Sequence, residues 1–251
     1  MEYRCIACGE CRQVCQFAES LGNEGPLPRE VDGCTLCGEC VDACPTGARQ
    51  IVGKRMTVQE VMAEITQDEI FYDDSLGGVT ISGGEPLSQP AFLKELLAAC
   101  RARSLRTAVD TCGFACTDLV LDIGRLTDLF LFDLKMMDDA RHRLYTGVSN
   151  APILANLKAL DAIHDCIWVR VPLIPGINDD PANLEAVARF AASLSSVQRV
   201  SVLPFHKTAA QKFRRLGMEF PLLNLESPSG EQVESAVRCF QAVGLETVVG
   251  G

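Results

Sequence analysis

The sequence lacks any run of about 18 apolar residues, so no helix is expected to cross a membrane. It opens on no basic stretch followed by an apolar one, so no secretory leader is read and a cytoplasmic location is expected. Basic excess is absent as well: 23 Lys and Arg face 33 Asp and Glu, a formal net charge of −10. With no basic stripe to attract phosphates, nucleic acid is not an expected partner, and neither is a membrane. Disorder is excluded from the other side, because 47% of the residues are hydrophobic and only 22% are charged. What the chain has in abundance is cysteine. Of 13 in 251 residues, eight fall within the first 44 positions. In a reducing compartment so dense a set binds metal more often than it forms disulfides.

The spacing of those eight decides what they hold. Cys5, Cys8, Cys11 and Cys15 form C-x2-C-x2-C-x3-C, and Cys34, Cys37, Cys40 and Cys44 repeat it, with Pro45 following. This internal duplication is the bacterial ferredoxin run for two 4Fe–4S clusters. Three cysteines two apart wrap one face of a cubane, while the fourth, carried off by the start of a helix, reaches the other cluster. The expected sets are therefore Cys5, Cys8, Cys11 and Cys44 for one cluster, and Cys34, Cys37, Cys40 and Cys15 for its twin. Gly9 and Gly38 follow the second cysteine of each run, where a side chain would crowd the sulfide. Gln16 stands where the pattern has proline, which removes no ligand. A pair of zinc sites is the alternative, but four-ligand zinc has no use for the further x2-C and x3-C spacing.

Beyond about position 52 helical and strand patterns alternate. Thr57 and Glu60 read as a capping box ahead of Val58, Val61, Met62 and Ile65. The run Val79-Thr80-Ile81 ends in Ser82-Gly83-Gly84-Glu85-Pro86, and a helix follows with Phe92, Leu93, Leu96, Leu97 and Cys100 on one face. Further strands are expected over 107–110, 129–133, 167–171 and 199–203, with helices near 117–124, 138–146, 150–163, 180–195 and 230–243. Alternation of this kind implies parallel βαβ units, and buried parallel strands read as apolar runs such as Leu129-Phe130-Leu131-Phe132.

Asp110, Asp133, Lys135 and His206 each lie at or just past the C-terminal end of an expected strand, the end that carries active sites in α/β barrels. Each alone has a plainer reading as a cap, a surface pair or a loop histidine; four converging ends weaken that reading. His142 and His164 fall inside helical patterns and read as structural. In Gly83-Gly84-Glu85-Pro86, two glycines let a ligand approach the backbone, free N–H groups favour a carboxylate, and Glu85 can accept from an ammonium. The plainer reading is a turn with Pro86 opening a helix.

The segment Gly78–Leu87 resembles the S-adenosylmethionine site of the glycyl-radical-enzyme activating enzymes, a radical-SAM family. The likeness continues through Asp110-Thr111-Cys112-Gly113, Phe132-Asp133-Leu134-Lys135 and Tyr145–Asn150. It extends to Arg170–Gly176 and Leu203-Pro204-Phe205-His206. The double-cluster insert is typical of the larger members and is missing from the pyruvate formate-lyase activase. The resemblance implies a partial (β/α) barrel, missing its first strand here, over residues 53–251, behind a ferredoxin-like domain over 1–52. It implies S-adenosylmethionine as cofactor, cleaved reductively to methionine and a 5′-deoxyadenosyl radical that takes a hydrogen from a glycine of a partner enzyme. The expected partners are a glycyl radical enzyme, met at its C-terminal glycine loop, and a flavodoxin or ferredoxin-type electron donor. Carried over, Gly83, Gly84 and Glu85 hold the methionyl end. Asp133, Leu134 and Lys135 line the cofactor, and His206 lies by its ribose or adenine. Asp110, Thr111 and Asp133 match positions that hold a monovalent cation, and Arg170 shapes the pocket. Lys135, Asp133 and His206 are the expected catalytic residues.

The resemblance also breaks. The family's catalytic cluster is bound by C-x3-C-x2-C, and no such run occurs in this sequence. Cys112 and Cys116 have the first gap but meet Leu119, and Cys11 and Cys15 meet Ala18. Cys100, Cys112, Cys116, Cys166 and Cys239 therefore read as structural. A third 4Fe–4S cluster is expected only if a missing N-terminal segment is supplied. Three accounts compete: a start codon set too late or a fragment, a split gene, or a non-enzyme serving as a two-cluster carrier or interaction module on a degenerate barrel. The first is favoured, and the polypeptide alone is expected to be inactive.

Overall fold

The computed structural model describes residues 2–21, 25–28, 31–75 and 77–250. Positions 1, 22–24, 29–30, 76 and 251, which fall within the two expected domains, lie outside the described residues. The chain divides into two compact units, Met1–Met56 with Arg215–Gly217, and Thr57–Arg214 with Met218–Gly251. No helix among the described residues is long and apolar enough to cross a membrane.

In the first unit the duplication of the sequence is also a duplication of the backbone. Helix α1 (Glu10–Gln13) is entered through Ala7 at φ 55° and Gly9 at φ 81°, and helix α2 (Glu39–Asp42) through Leu36 at φ 56° and Gly38 at φ 92°. A left-handed residue two positions before a left-handed glycine bends each run tightly. A small cluster of Cys11, Ala18 and Leu27, with Cys15, Val31 and Cys40 packed on it, is the apolar centre of this unit.

The second unit is built on six parallel strands in strict chain order. These are β1 (Val79–Ile81), β2 (Thr107–Thr111), β3 (Leu129–Asp133), β4 (Ile167–Leu173), β5 (Val197–Pro204) and β6 (Thr247–Val249). Each strand pairs with the next, so right-handed crossovers place the connecting helices on one face and give the wall of an open α/β barrel. Those helices are α3 (Val58–Ile65) and α4 (Glu69–Ser75) ahead of β1, then α5 (Pro90–Ala102), α6 (Thr117–Gly124), α7 (Asp139–Thr146), α8 (Ala151–Asp161), α9 (Pro181–Ala192), α10 (Ala209–Arg215) and α11 (Gly230–Gln241). Sequence chemistry fixes their starts. Thr57 and Glu60 form the expected capping box, Glu60 accepting from the Thr57 N–H at 2.7 Å. Asp138, Asp180 and Ser229 each accept from a backbone N–H three residues on.

Val109, Phe130, Phe132, Val169, Val171 and Val202 are fully buried between sheet and helices, each contributing roughly 1.5–3 kcal/mol from removal of its side chain from water. Two glycines are demanded by this packing. A Cβ on Gly78 would stand 2.2 Å from the Arg106 carbonyl, and one on Gly113 would stand 2.1 Å from the Phe132 ring.

Candidate active site

Parallel strands deliver their C-terminal ends to one side of the sheet, and there the charged residues of three strands meet. Asp133 pairs in register with Arg170, so the last residue of β3 lies beside a β4 side chain of opposite charge. Arg170 Nε and Nη2 donate to Asp133 Oδ1 at 3.0 and 2.7 Å. Its Nη1 donates to Asp110 Oδ2 at 3.0 Å, and Nη2 also reaches Asp110 Oδ1. Lys135 Nζ donates to Asp133 Oδ2 at 3.0 Å, and Ser82 Oγ to Asp110 Oδ2 at 2.8 Å. Burial opposes the charge on Arg170, but Asp133 and then Asp110 outweigh it, so its pKa rises above the ordinary arginine value.

The turn after β1 sits on the same end. Gly83 and Gly84 both have left-handed φ, 78° and 64°, with open space where their Cβ atoms would be. Among the described residues nothing accepts from the N–H groups of Gly83, Gly84 or Glu85. The Glu85 carboxylate is more engaged than its sequence position suggested. Oε1 accepts from Leu87 N at 3.1 Å and from the Thr111 hydroxyl at 2.7 Å, and Oε2 from Cys112 N at 2.9 Å. It ties the turn to the end of β2, and one acceptor site of Oε2 stays open for a further donor. The Cys112 thiol is held in its protonated form, first by burial and then by Glu85.

Four asparagines, which sequence reasoning missed, lock the loops that carry these groups. Buried Asn178 donates to the carbonyls of Lys135 (2.9 Å) and Pro172 (2.6 Å) and accepts from Ile174 N at 2.8 Å. Asn150 donates to the Met136 and Met137 carbonyls, and Asn183 accepts from Met137 N. Asn156, fully buried on α8, donates to the Gly113 and Ala115 carbonyls at 2.9 Å each. The stretch Lys135–Met137 after β3 and the stretch Gly113–Ala115 after β2 are therefore held by side chains from other elements, the second also by its own Ala115 N–H to the Gly113 carbonyl at 3.1 Å. Only the residue type, a short amide able to donate twice, signalled this in the sequence.

Of the expected residues, Asp110, Asp133, Lys135 and Arg170 come together directly, and Gly83, Gly84 and Glu85 are joined to them through Thr111 and Ser82. Leu134 has its side chain in the core and can offer only its backbone. His206 follows β5, is exposed, and makes no hydrogen bond among the described residues. His142 and His164 are buried, with ring nitrogens against the Val148 and Thr127 carbonyls at 2.7 and 2.9 Å.

In the first unit no disulfide forms among the thirteen cysteines, and no three His, Cys, Asp or Glu among the described residues gather closely enough to hold a single metal ion. Cys40 lies within electrostatic reach of Cys15 and Cys37, and Cys15 and Cys40 pack on one cluster. Backbone N–H groups point at sulfur, Leu36 to Cys34 at 3.4 Å and Leu27 to Cys11 at 3.5 Å. The Cys44 thiol is lowered to about 7, chiefly by the Arg49 backbone N–H. That favours the thiolate, the form that binds metal.

Comparison with known proteins is consistent across the chain. Residues 32–191 match the Radical SAM superfamily model. The trans-4-hydroxy-L-proline dehydratase activating enzyme of Clostridioides difficile is 36% identical over 253 residues, covering 100% of this chain and 83% of its own. The isethionate sulfite-lyase activating enzyme of Nitratidesulfovibrio vulgaris is 38% identical, covering 93% of this chain and 78% of its own. Among solved structures, a domain of a pyruvate-formate lyase-activating enzyme from Bacteroides vulgatus is 33% identical with a TM-score of 0.59, covering 70% of this chain and 99% of that one.

Proposed function

Since this chain belongs to the radical SAM superfamily, among the activating enzymes of glycyl radical enzymes, we propose that it binds S-adenosylmethionine across the ends of β1, β2 and β3. We propose with it that two 4Fe–4S clusters sit on the eight N-terminal cysteines and that the partners are a glycyl radical enzyme and a flavodoxin or ferredoxin-type electron donor. The observation that carries the reading is the meeting of free N–H groups at Gly83–Glu85 with the Asp110–Arg170–Asp133–Lys135 chain. An amino-acid moiety needs donors for its carboxylate and an acceptor for its ammonium. The turn N–H groups and Lys135 supply the first, and the open Glu85 lone pair supplies the second. Asp133, already bridged by Arg170 and Lys135, orients both cations, and His206 borders the same end beyond β5.

The C-x2-C-x2-C-x3-C spacing of both repeats supports cubanes over single ions, and backbone N–H groups face the sulfurs of Cys11 and Cys34. When bound, S-adenosylmethionine and a reduced cluster supply a 5′-deoxyadenosyl radical that takes hydrogen from a partner's glycine. The residues here do not fit the cluster that would deliver that electron, since C-x3-C-x2-C has no counterpart in the sequence, and we propose that this polypeptide alone binds the cofactor without cleaving it. A plain electron carrier is not favoured, because a carrier has no use for the strand-end charges and the relatives are activating enzymes.

Anaerobic reconstitution with iron analysis and equilibrium dialysis tests the reading. About eight irons per chain are expected, with S-adenosylmethionine bound by the parent and lost in Lys135→Ala while the circular dichroism spectrum is kept. About twelve irons together with 5′-deoxyadenosine release would overturn the non-cleaving part. Absence of cofactor binding in the parent would overturn the whole.

A further inference from the structure

One side chain of α7 closes the loops after β3 and β4 into a ring. Arg141 Nη2 donates to the Ile177 carbonyl at 2.5 Å and stands 2.8 Å from Asp180 Oδ2. That oxygen is shut off from water, and no aligned donor among the described residues reaches it, so the Arg141 charge compensates it. The other Asp180 oxygen accepts from Asn183 N at 3.0 Å and caps α9. Between the two points that Arg141 holds lies Asn178. Its amide donates to the Lys135 carbonyl at 2.9 Å, and its own carbonyl accepts from Asn183 Nδ2 at 2.9 Å. The path therefore runs from Lys135 along the chain into α7, across Arg141 to Ile177 and Asp180, and back through Asn178 to Lys135. Asn183 and Asn150 brace Met136 and Met137 independently, so the ring can be opened at Arg141 without dismantling the loop.

We propose that Arg141 is a positioning residue for the cofactor: it sets where the Lys135 ammonium stands, and so how tightly S-adenosylmethionine binds. A lysine side chain is a point charge on a flexible stem, so the place of its charge depends on how firmly its backbone is held. Lys135 Nζ meets Asp133 Oδ2 at 3.0 Å from a backbone whose carbonyl is anchored by Asn178. Arg141 makes no hydrogen bond to Asp110, Asp133, Lys135 or Glu85 among the described residues, so its influence passes through the β4 loop. Arginine suits the task because one planar head can meet a carbonyl and a carboxylate together, where an ammonium is a single point of charge. The inference rests on the cofactor reading above and deepens it.

The test compares the reconstituted full chain with its Arg141→Met and Arg141→Lys variants in two measurements. One is equilibrium dialysis of S-adenosylmethionine. The other, made without cofactor, is the rate at which an N-hydroxysuccinimide ester labels each lysine, mapped by mass spectrometry. In Arg141→Met the dissociation constant should rise about two- to tenfold, with Arg141→Lys in between. Lys135 should label faster, while Lys94, paired with Asp122 at 2.6 Å, keeps its rate. In an Asn178→Ala background, Arg141→Met should weaken binding little further, because both act through one loop. Unmoved affinity or unmoved Lys135 labelling in Arg141→Met would overturn the inference and leave the cofactor reading standing. So would equal acceleration at Lys94 and Lys135, the mark of a general loosening, or full additivity with Asn178→Ala. If Arg141→Met fails to fold, Arg141→Lys decides by the same criteria. A parent chain that binds no S-adenosylmethionine would overturn the cofactor reading and this inference together.

Discussion

Arg170→Leu probes the energetics of the site most directly. The guanidinium makes four hydrogen bonds to Asp110 and Asp133. Removing one partner of a buried ion pair costs about 3–5 kcal/mol, because a charge is left without compensation. Here the three side chains keep 18%, 18% and 21% of their exposure, so water relieves part of the penalty, and about 2–4 kcal/mol is expected once that screening is allowed for. In a chain of this size the loss lowers Tm by roughly 5–15 °C, readable by thermal unfolding followed by circular dichroism. The two carboxylates do not suffer alike. Asp133 keeps Lys135 at 3.0 Å, while Asp110 keeps, among the described residues, only the Ser82 hydroxyl. Adding Asp110→Asn to Arg170→Leu should therefore recover at least about 1 kcal/mol, the worth of removing an uncompensated charge. Adding Asp133→Asn should recover less, because it strands Lys135. If Arg170→Leu left Tm in place, or if Asp133→Asn rescued and Asp110→Asn did not, the account of the charge chain would be wrong.

Gly113→Ala forces a Cβ to 2.1 Å from Phe132 at a φ of 69° and should cost roughly 2–5 kcal/mol by strain and overpacking, seen as a lowered midpoint in urea. Asn178→Ala strips partners from the Lys135 and Pro172 carbonyls and the Ile174 N–H. It should cost about 2–4 kcal/mol and weaken S-adenosylmethionine binding as well, where a purely structural loss would lower stability and spare affinity in the surviving fold. Asp139 is drawn from the ordinary 3.8 to about 2, first by the Ser149 hydroxyl and then by Arg143. A folded-state pKa below the unfolded one gives stability that is fully present above about pH 4 and lost as pH falls toward 2. Asp139→Asn should flatten that part of the acid-unfolding curve, and an unchanged acid slope would refute the assignment.

Much of the frame could be read from the residues. Apolar runs marked β2 to β5, and the Thr57–Glu60 capping box announced its helix, because local chemistry decides both. The misses share a cause. Helix α10 buries no residue and α4 follows α3 across a single 3-10 turn, so neither shows a separate apolar stripe. Strand β6 is three residues long and takes its definition from β5, not from its own pattern. At the site, Asp110, Asp133 and Lys135 were legible as strand-end charges. What linked them was not, since Arg170 lies 60 positions from Asp110 and only the β2–β3–β4 register brings them together. Glu85 looked available and is largely used within the fold. The asparagine clamps were invisible because a buried Asn and a loop Asn are the same letter until tertiary contacts distinguish them.

The strand-end charges alternate: Asp110 negative, Arg170 positive, Asp133 negative, Lys135 positive. Their sum is zero in a chain whose total is −10, so the acidic surplus lies elsewhere on the molecule. A cancelled set projects little field beyond a Debye length and does not steer a distant ligand; its pull is felt only on contact. Capture of the small cofactor should then be nearly indifferent to ionic strength, whereas docking of a macromolecular partner against the acidic exterior should feel salt strongly. The two recognition events of one protein would thus answer to different solution conditions, and adding salt separates them without touching a residue.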